Sequence, residues 1–182
     1  MERKLKDAVT EKNGRRWTPE MEELLNDWHR RAYAAQCAYY QLAERSRKLH
    51  YKLGICTVIL TSAAGATIFV DKEKVPEKLA HYLQWSAGVV SLLAAVLAGL
   101  QTFLRPGQAA TEQGFAADWY AAIRREIEQL QALPEGMRGE PKACLDSIRK
   151  EMNKASQKSP ELGETVWQRT AQRFAVKEPP PK

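Results

Sequence analysis

The residue types that most often catalyse reactions or bind metals are few and dispersed in this sequence. Three cysteines, Cys37, Cys56 and Cys144, show no CxxC spacing, so neither a metal site nor a disulfide framework follows from them. The histidines are also far apart: His29, His50 and His81. No pair of nucleophile and base and no glycine-rich phosphate loop is visible. The sequence therefore predicts a protein without catalytic residues, a bound metal or a cofactor.

One short basic and aromatic string could bind a nucleic acid or a nucleotide. Arg15 and Arg16 would supply charge, and Trp17 would supply a ring for stacking. The simpler interpretation is a solvated stretch before a helix, with one buried tryptophan. We favour that interpretation, and the sequence predicts no nucleic-acid partner.

Charge is distributed unevenly along the 182 residues, and this pattern excludes an ordinary soluble enzyme with one large core. The chain has 28 Lys and Arg and 22 Asp and Glu. Two segments, Leu53 to Val70 and Leu83 to Leu104, hold no charged residue over 18 and 22 positions. Two apolar segments are too few for a transporter, and the length leaves room for one small unit.

Each apolar segment is long enough to cross a bilayer as a helix. The first would span about 27 Å and the second about 33 Å, and the hydrocarbon core of a bilayer is about 30 Å thick. Residues suited to a membrane interface flank both segments. They are Tyr51, Lys52, Asp71, Lys72, Tyr82, Trp85 and Arg105. The sequence therefore predicts transmembrane helices at 53–70 and 83–104, with a buried hairpin in a soluble bundle as the alternative.

Basic residues predict the orientation of these two helices. The residues before the first span hold 12 Lys and Arg, those after the second hold 13, and the connector 71–82 holds three. Because basic flanks stay in the cytoplasm, we expect a multi-pass protein with both termini cytoplasmic. The polar start lacks the apolar core of a signal peptide. Basic residues next to the spans could also bind anionic lipid.

The polar flanks are predicted to be helical arms with apolar faces. Thr18 and Pro19 are typical of a helix start, the string 105–107 should break or kink the chain, and Pro134 should end the second arm. Apolar residues recur in both arms at spacings of three and four. We expect the arms to pack against each other or against a neighbouring subunit. The residues of this oligomer seam are Leu25, Trp28, Tyr39, Leu42, Leu49, Trp119, Ile123 and Ile127.

These predictions divide the chain into three parts. Residues 1–17 are a polar N-terminal segment, and 18–134 hold the arms and both spans. Residues 135–182 form a C-terminal extension, with short helices expected over 141–157 and 160–176 and a disordered tail. The predicted fold class is an all-α membrane protein, a two-helix transmembrane hairpin with long cytoplasmic helical extensions.

The second span carries a face of small and polar residues, and the first carries a shorter one. The members are Gln84, Gly88, Ser91, Ala95, Ala98 and Thr102 on the second span and Thr57, Thr61 and Gly65 on the first. Gly99 belongs to an overlapping ladder with Ser91 and Ala95, and such ladders let helices approach closely. The face therefore either packs helices together or lines a water-filled path. A path would need several subunits, because two spans cannot enclose one.

The layout and four strings of this chain resemble the SLATT superfamily, bacterial two-span proteins associated with nucleotide-synthesising and nucleotide-sensing immunity systems. The likeness covers about residues 18–134. The strings are WHRRAYAAQCAYY at 28–40, KLHYKLGICTVILTSAAGATIF at 48–69, LLAAVLAGLQTFLR at 92–105 and ADWYAAIRREIEQLQALP at 117–134. No catalytic residue carries over, because the family pattern has none.

The resemblance implies an effector of antiphage immunity in the bacterial inner membrane. Such proteins are proposed to form pores or disrupt the membrane when a phage-triggered signal arrives. The expected partners are membrane lipid, further copies of the chain, and a nucleotide-signalling or sensor protein that gates it. Two alternatives remain: a non-conducting anchor that recruits a cytoplasmic partner through its arms, and a small housekeeping channel.

Overall fold

A computed structural model describes residues 16–67 and 76–176, and nearly all of them are helical. The helices are α1 (Pro19–Ala66), α2 (Glu77–Leu104), α3 (Pro106–Ala132), α4 (Pro141–Lys158) and α5 (Glu164–Arg173), with a 3-10 turn at Glu135–Met137. No strand occurs in these two ranges, so the predicted all-α class is confirmed. Arg15, the end of the first predicted span, most of the connector and the tail lie outside the described residues.

Helix α1 begins where the sequence predicts. Pro19 is its first residue, and the side-chain oxygen of Thr18 accepts a hydrogen bond from the backbone N–H of Met21 at 3.4 Å. This oxygen satisfies one of the donors that a helix start leaves without a helical partner. A hydrogen bond with Thr18 also lowers the pKa of Glu20, so a negative charge stays at the positive end of the helix dipole.

The chain also breaks at the predicted place between α2 and α3. Arg105 has φ 43° and ψ 48°, a left-handed conformation that costs an ordinary residue about 1 kcal/mol or more. The cause is Pro106, which clashes with a right-handed helical residue before it and cannot donate a backbone hydrogen bond. The backbone N–H of Arg105 still bonds the Gln101 carbonyl at 3.2 Å, which closes the end of α2.

Contacts within the chain divide the described residues into two units. The residues up to Leu42 and those from Glu112 onward form one unit, which we call the arm bundle. The residues of Ala43–Thr111 form the other, which we call the apolar unit. Helix α1 contributes to both.

The arm bundle has a core to which all of its helices contribute. Its most completely buried large side chains are Leu25, Tyr39, Tyr120, Ile123, Ile127 and Ile148. The rings of Tyr39 and Tyr120 stack with centroids 5.7 Å apart. The C-terminal extension supplies Ile148, Ala155 and Trp167 to the same core. Each buried aliphatic side chain of this size contributes about 1.5–3 kcal/mol, so the extension stabilises the arms.

Polar pairs set how the two arms lie against each other. They are Asn26 with Gln131 (2.9 Å), His29 with Glu128 (2.9 Å) and Tyr40 with Asp118 (2.6 Å). As the residue number on α1 increases, the residue number of its partner on α3 decreases by nearly the same amount. The two arms are therefore antiparallel. The hydrogen bond with His29 lowers the pKa of Glu128, so this carboxylate stays charged.

A single arginine closes the end of α3. Arg138 donates from Nε to the carbonyl of Leu133 at 2.6 Å and from Nη2 to that of Gln131 at 2.9 Å. One carbonyl belongs to the last turn of α3 and the other to the residue that follows the helix, and carbonyls at a helix end have no N–H partner within the helix. The guanidinium also pairs with Glu22 and lies 5.7 Å from the ring of Trp17. Trp17 is buried, as the simpler interpretation of the Arg-Arg-Trp string predicts.

In the apolar unit one face of each helix is shielded from solvent. The positions are Leu53, Thr57, Leu60 and Ala64 on α1, Thr67 directly after it, and Leu83, Ala87, Val90, Ala94, Leu97 and Gln101 on α2; Ala94 is buried and the others are half-buried. Both sets repeat at spacings of three and four, as packed helices require. A Cβ atom on Gly54 would lie 3.4 Å from Nε2 of Gln101, which shows how close the two faces come.

One described helical stretch is long and apolar enough to cross a membrane. It lies within Leu79–Ala132, which covers α2 from its third residue onward and all of α3, and only 6% of its 18-residue apolar window is buried. A core helix of a soluble protein would be mostly buried, so this exposure favours association with a membrane. The first predicted span, 53–70, runs past the described residues.

Candidate functional site

The small and polar face of α2 points away from the rest of the apolar unit. All seven predicted residues on this helix are exposed: Gln84, Gly88, Ser91, Ala95, Ala98, Gly99 and Thr102. The shielded face lies one position earlier along the chain, which is a rotation of about 100° around a helix. Contacts inside the apolar unit therefore leave this face open to a second copy of the chain or to solvent.

The three predicted residues of the first span do not share one environment. Thr57 and Gly65 are half-buried on the shielded face of α1, whereas Thr61 is exposed. The structure therefore does not bring the two predicted sets together into one surface. Thr57 lies on the less exposed side of α1, a Cβ atom added to Gly65 would meet nothing within 4 Å, and the open polar face belongs to α2.

Hydroxyl groups on these helices bond the backbone of their own helix. Thr102 donates to the Ala98 carbonyl at 3.0 Å, and Thr61 donates to the Thr57 carbonyl at 2.9 Å. A threonine bonded in this way can lie in an apolar environment, because its donor is satisfied within the helix. Its oxygen can still accept a hydrogen bond from water. The face is therefore compatible with lipid, with close helix packing and with a wet surface.

At two glycines of the α2 face, no neighbouring atom of the described chain requires that the residue lack a side chain. A Cβ atom added to Gly88 or Gly99 would meet nothing within 4 Å, whereas one on Gly107 would lie 3.4 Å from the His50 ring. Glycine in a helix costs about 1 kcal/mol relative to alanine. Gly88 instead helps to form a shallow depression of about 430 Å³ beside Gln84. Close approach by another molecule would account for both glycines.

Large apolar side chains cover the other exposed sides of the apolar unit. They include Ile55, Val58 and Ile59 on α1 and Trp85, Leu92, Leu93, Val96 and Phe103 on α2. Exposed apolar surface that runs along whole helices marks contact with lipid or with another protein chain. This apolar surface surrounds the narrower small and polar face of α2. Such an arrangement is expected of a membrane helix that has one side facing protein or water.

The predicted oligomer seam lies mainly inside a single chain. Leu25, Trp28, Tyr39, Ile123 and Ile127 are buried in the arm bundle, and Leu42 and Trp119 are half-buried. Leu49, in the apolar unit, is 43% exposed. The sequence left open whether the arms pack against each other or against a neighbouring subunit. At the buried positions, each arm packs against the other arm of the same chain. Assembly of several copies through this seam stays a prediction, and the α2 face offers the more accessible surface.

The arm bundle also contains a cavity of about 380 Å³ that sequence reasoning missed. Its walls come from four helices: Trp28, Arg31 and Ala35 of α1, Tyr120 of α3, Arg149, Met152, Asn153 and Ser156 of α4, and Trp167 of α5. Among these residues, Trp28 belongs to the predicted oligomer seam. Arg149 and Met152, three positions apart and hence on one side of α4, were the available signal. Two guanidinium groups and no carboxylate line the cavity.

Burial holds two groups that could perform covalent chemistry, Cys37 and Tyr120, in their protonated forms. Cys37 is half-buried, and burial raises the pKa of its thiol, which disfavours the reactive thiolate. Burial also raises the pKa of Tyr120, so its hydroxyl stays protonated. The described residues include no group of three or more His, Cys, Asp or Glu side chains that could hold a metal ion.

We compared this chain with known proteins at three levels. No model of a protein family, no curated protein and no solved structure matches it. The resemblance to the SLATT superfamily stays a prediction that rests on the four sequence strings.

Proposed function

We propose that this protein is an oligomeric pore-forming effector of the bacterial inner membrane, and that the small and polar face of α2 lines the path. The observation that carries this proposal is the exposure of that whole face, turned away from the shielded side of the same helix. The unexplained glycines at 88 and 99 support it. The resemblance to two-span immunity proteins suggests the setting, in which a signal or partner opens the pore during phage infection.

The proposed topology is a transmembrane hairpin formed by residues 53–70 and 83–104. Both termini lie in the cytoplasm, since 25 of the 28 basic residues precede or follow the spans. The arm bundle then lies on the cytoplasmic side, where a soluble signal could reach it. The apolar sides of the spans contact lipid, and several copies arrange their α2 faces around a common axis.

The gating proposal has a thermodynamic requirement. A signal that opens the pore must bind the open assembly better than the closed one, because only differential affinity shifts an equilibrium. A minor state of such an equilibrium is commonly populated at about 0.1–10%. Rare openings should therefore occur without any signal.

The first test of the proposal is electrical. In planar bilayers that contain the purified full-length protein, we expect infrequent stepwise currents of uniform size. Bilayers treated with detergent alone are the control. Inserted oligomers, verified by mass, that give no steps in long recordings would contradict the pore and favour a non-conducting membrane anchor.

A second test concerns the topology. In a background where Cys37, Cys56 and Cys144 are replaced by alanine, a membrane-impermeant maleimide should label Glu77→Cys from outside intact cells. It should label Glu20→Cys only after the membrane is permeabilised, because that residue is proposed to be cytoplasmic. The opposite pattern would reverse the orientation. Labelling of both positions in intact cells would exclude the hairpin.

A further inference from the structure

We propose that the cavity of the arm bundle binds a small organic anion that carries a planar ring. The proposed site lies between α1, α3, α4 and α5, and every wall belongs to the arm bundle. It requires neither the membrane orientation nor the pore, so the two proposals can fail independently.

The size and position of the cavity suit a small molecule. Its volume of about 380 Å³ falls within the range of about 300–1,000 Å³ that is usual for ligand pockets. Pockets that form between the helices of a bundle are a common type of ligand site. Side chains from four helices meet at this one, so a ligand would contact parts of the chain more than 100 positions apart, such as Arg31 and Arg149.

The charge of the cavity selects an anion. Arg31 and Arg149 line it, and no carboxylate does. Each arginine also pairs with an aspartate that lies outside the cavity: Asp27 is 3.3 Å from Arg31, and Asp146 is 3.0 Å from Arg149. A guanidinium has five N–H donors, so the contact of Arg149 with Asp146 leaves further donors on that side chain. The Arg149 side chain is 62% exposed, so it can turn toward a phosphate or a carboxylate with little rearrangement.

The apolar walls select a ring. The two indoles of Trp28 and Trp167 and the thioether of Met152 lie on the cavity, and flat apolar surfaces of this kind favour a planar partner. An inorganic anion would leave these walls without a contact. A neutral apolar ligand would form no charge-assisted hydrogen bond with the arginines of the cavity. A ligand with both an anionic group and a ring uses both parts of the site.

Tyr120 provides a second sign of an incomplete polar site. It lines the cavity, is almost fully buried, and has a hydroxyl with no hydrogen-bond partner among the described residues. Buried hydroxyl groups nearly always have a partner. A polar atom of a ligand, or a water held by one, would supply it. Asn153 adds an amide that can donate and accept at the same cavity.

Calorimetric titration of the full-length protein in detergent tests this proposal. The probes are adenosine monophosphate as a planar phosphate, indole-3-acetate as a planar carboxylate, and adenosine and inorganic phosphate as the separate halves. We expect saturable binding of at least one planar anion, about tenfold or more tighter than that of its halves. Whichever planar anion binds better distinguishes a phosphate ligand from a carboxylate ligand.

Matched variants locate the binding. Arg149→Gln should weaken binding about tenfold or more, since it removes a charge-assisted hydrogen bond. Lys150→Gln removes the same charge from the neighbouring position, which does not line the cavity, and should change the affinity less than about twofold. Asn153→Trp should abolish binding by filling the cavity without a change of charge.

Three results would overturn the proposal. The first is no saturable binding of either planar anion at millimolar concentration. The second is equal binding of inorganic phosphate and adenosine monophosphate, which would show that the ring is not recognised. The third is an equal loss in Arg149→Gln and Lys150→Gln, which would indicate a diffuse effect of charge. Circular dichroism of each variant establishes that the arm bundle stays helical in every titration.

Discussion

Ala95→Leu should abolish the stepwise current of the reconstituted protein while the oligomer stays intact. Ala95 lies near the middle of the proposed second span, on the exposed small and polar face of α2. The substitution adds three heavy atoms in every subunit, and a narrow ring of small residues is where added bulk closes a path. Ser91→Asp should have the opposite effect: a ring of carboxylates favours wetting, raises the current and makes it selective for cations.

A variant on the opposite side of α2 controls for the effect of a larger side chain at any position on this helix. Leu93→Phe also adds three heavy atoms, at an exposed position about 160° around α2 from Ala95, and should leave the current unchanged. Current and oligomer mass have to be measured on the same samples. Dissociation of the oligomer by both Ala95→Leu and Gly99→Leu would instead show that the face packs helices together. Intact oligomers with unaltered current in Ala95→Leu and Ser91→Asp would remove this face from the path and turn attention to Thr61.

Ile148→Ala should lower the free energy of unfolding of the arm bundle by about 2–5 kcal/mol. Ile148 is 1% exposed, and it belongs to the C-terminal part of the chain yet lies in the same core as Leu25 and Ile127. The truncation removes apolar contacts and leaves a cavity that the surrounding helices cannot fully close. Denaturant unfolding of the full chain in detergent, followed by circular dichroism, measures the loss.

Met137→Ala is the matched control, because it truncates a large apolar side chain that is 73% exposed. It should change the free energy of unfolding by less than about 0.5 kcal/mol. An unfolding curve for Ile148→Ala that coincides with the wild-type curve would mean that α4 does not share a core with the arms. Such a result would place the C-terminal extension outside the core of the arms.

The amino-acid sequence by itself determines where the helices of this protein begin and end. Thr18 and Pro19 mark the start of α1, and Pro106 forces the break after α2, because each acts through its own backbone and that of its immediate neighbours. The heptad pattern identifies the buried side of both arms for the same reason, since it depends only on the periodicity of one helix. The C-terminal helices begin and end within a few residues of their predicted positions.

The tertiary structure decides which partners those faces meet. Periodicity shows that Tyr39 needs a buried partner, but only the packed chain shows that Tyr120 of the same molecule stacks on it. Two adjacent faces of α2 have the same period, and contacts with α1 select the one that contains Ala94 and leave Ala95 exposed. The cavity beside Arg31 and Arg149 depends on four helices at once. The residue pattern of a segment encodes the conformation of one helix. Packing among all the helices then decides which of several similar faces of that helix is buried.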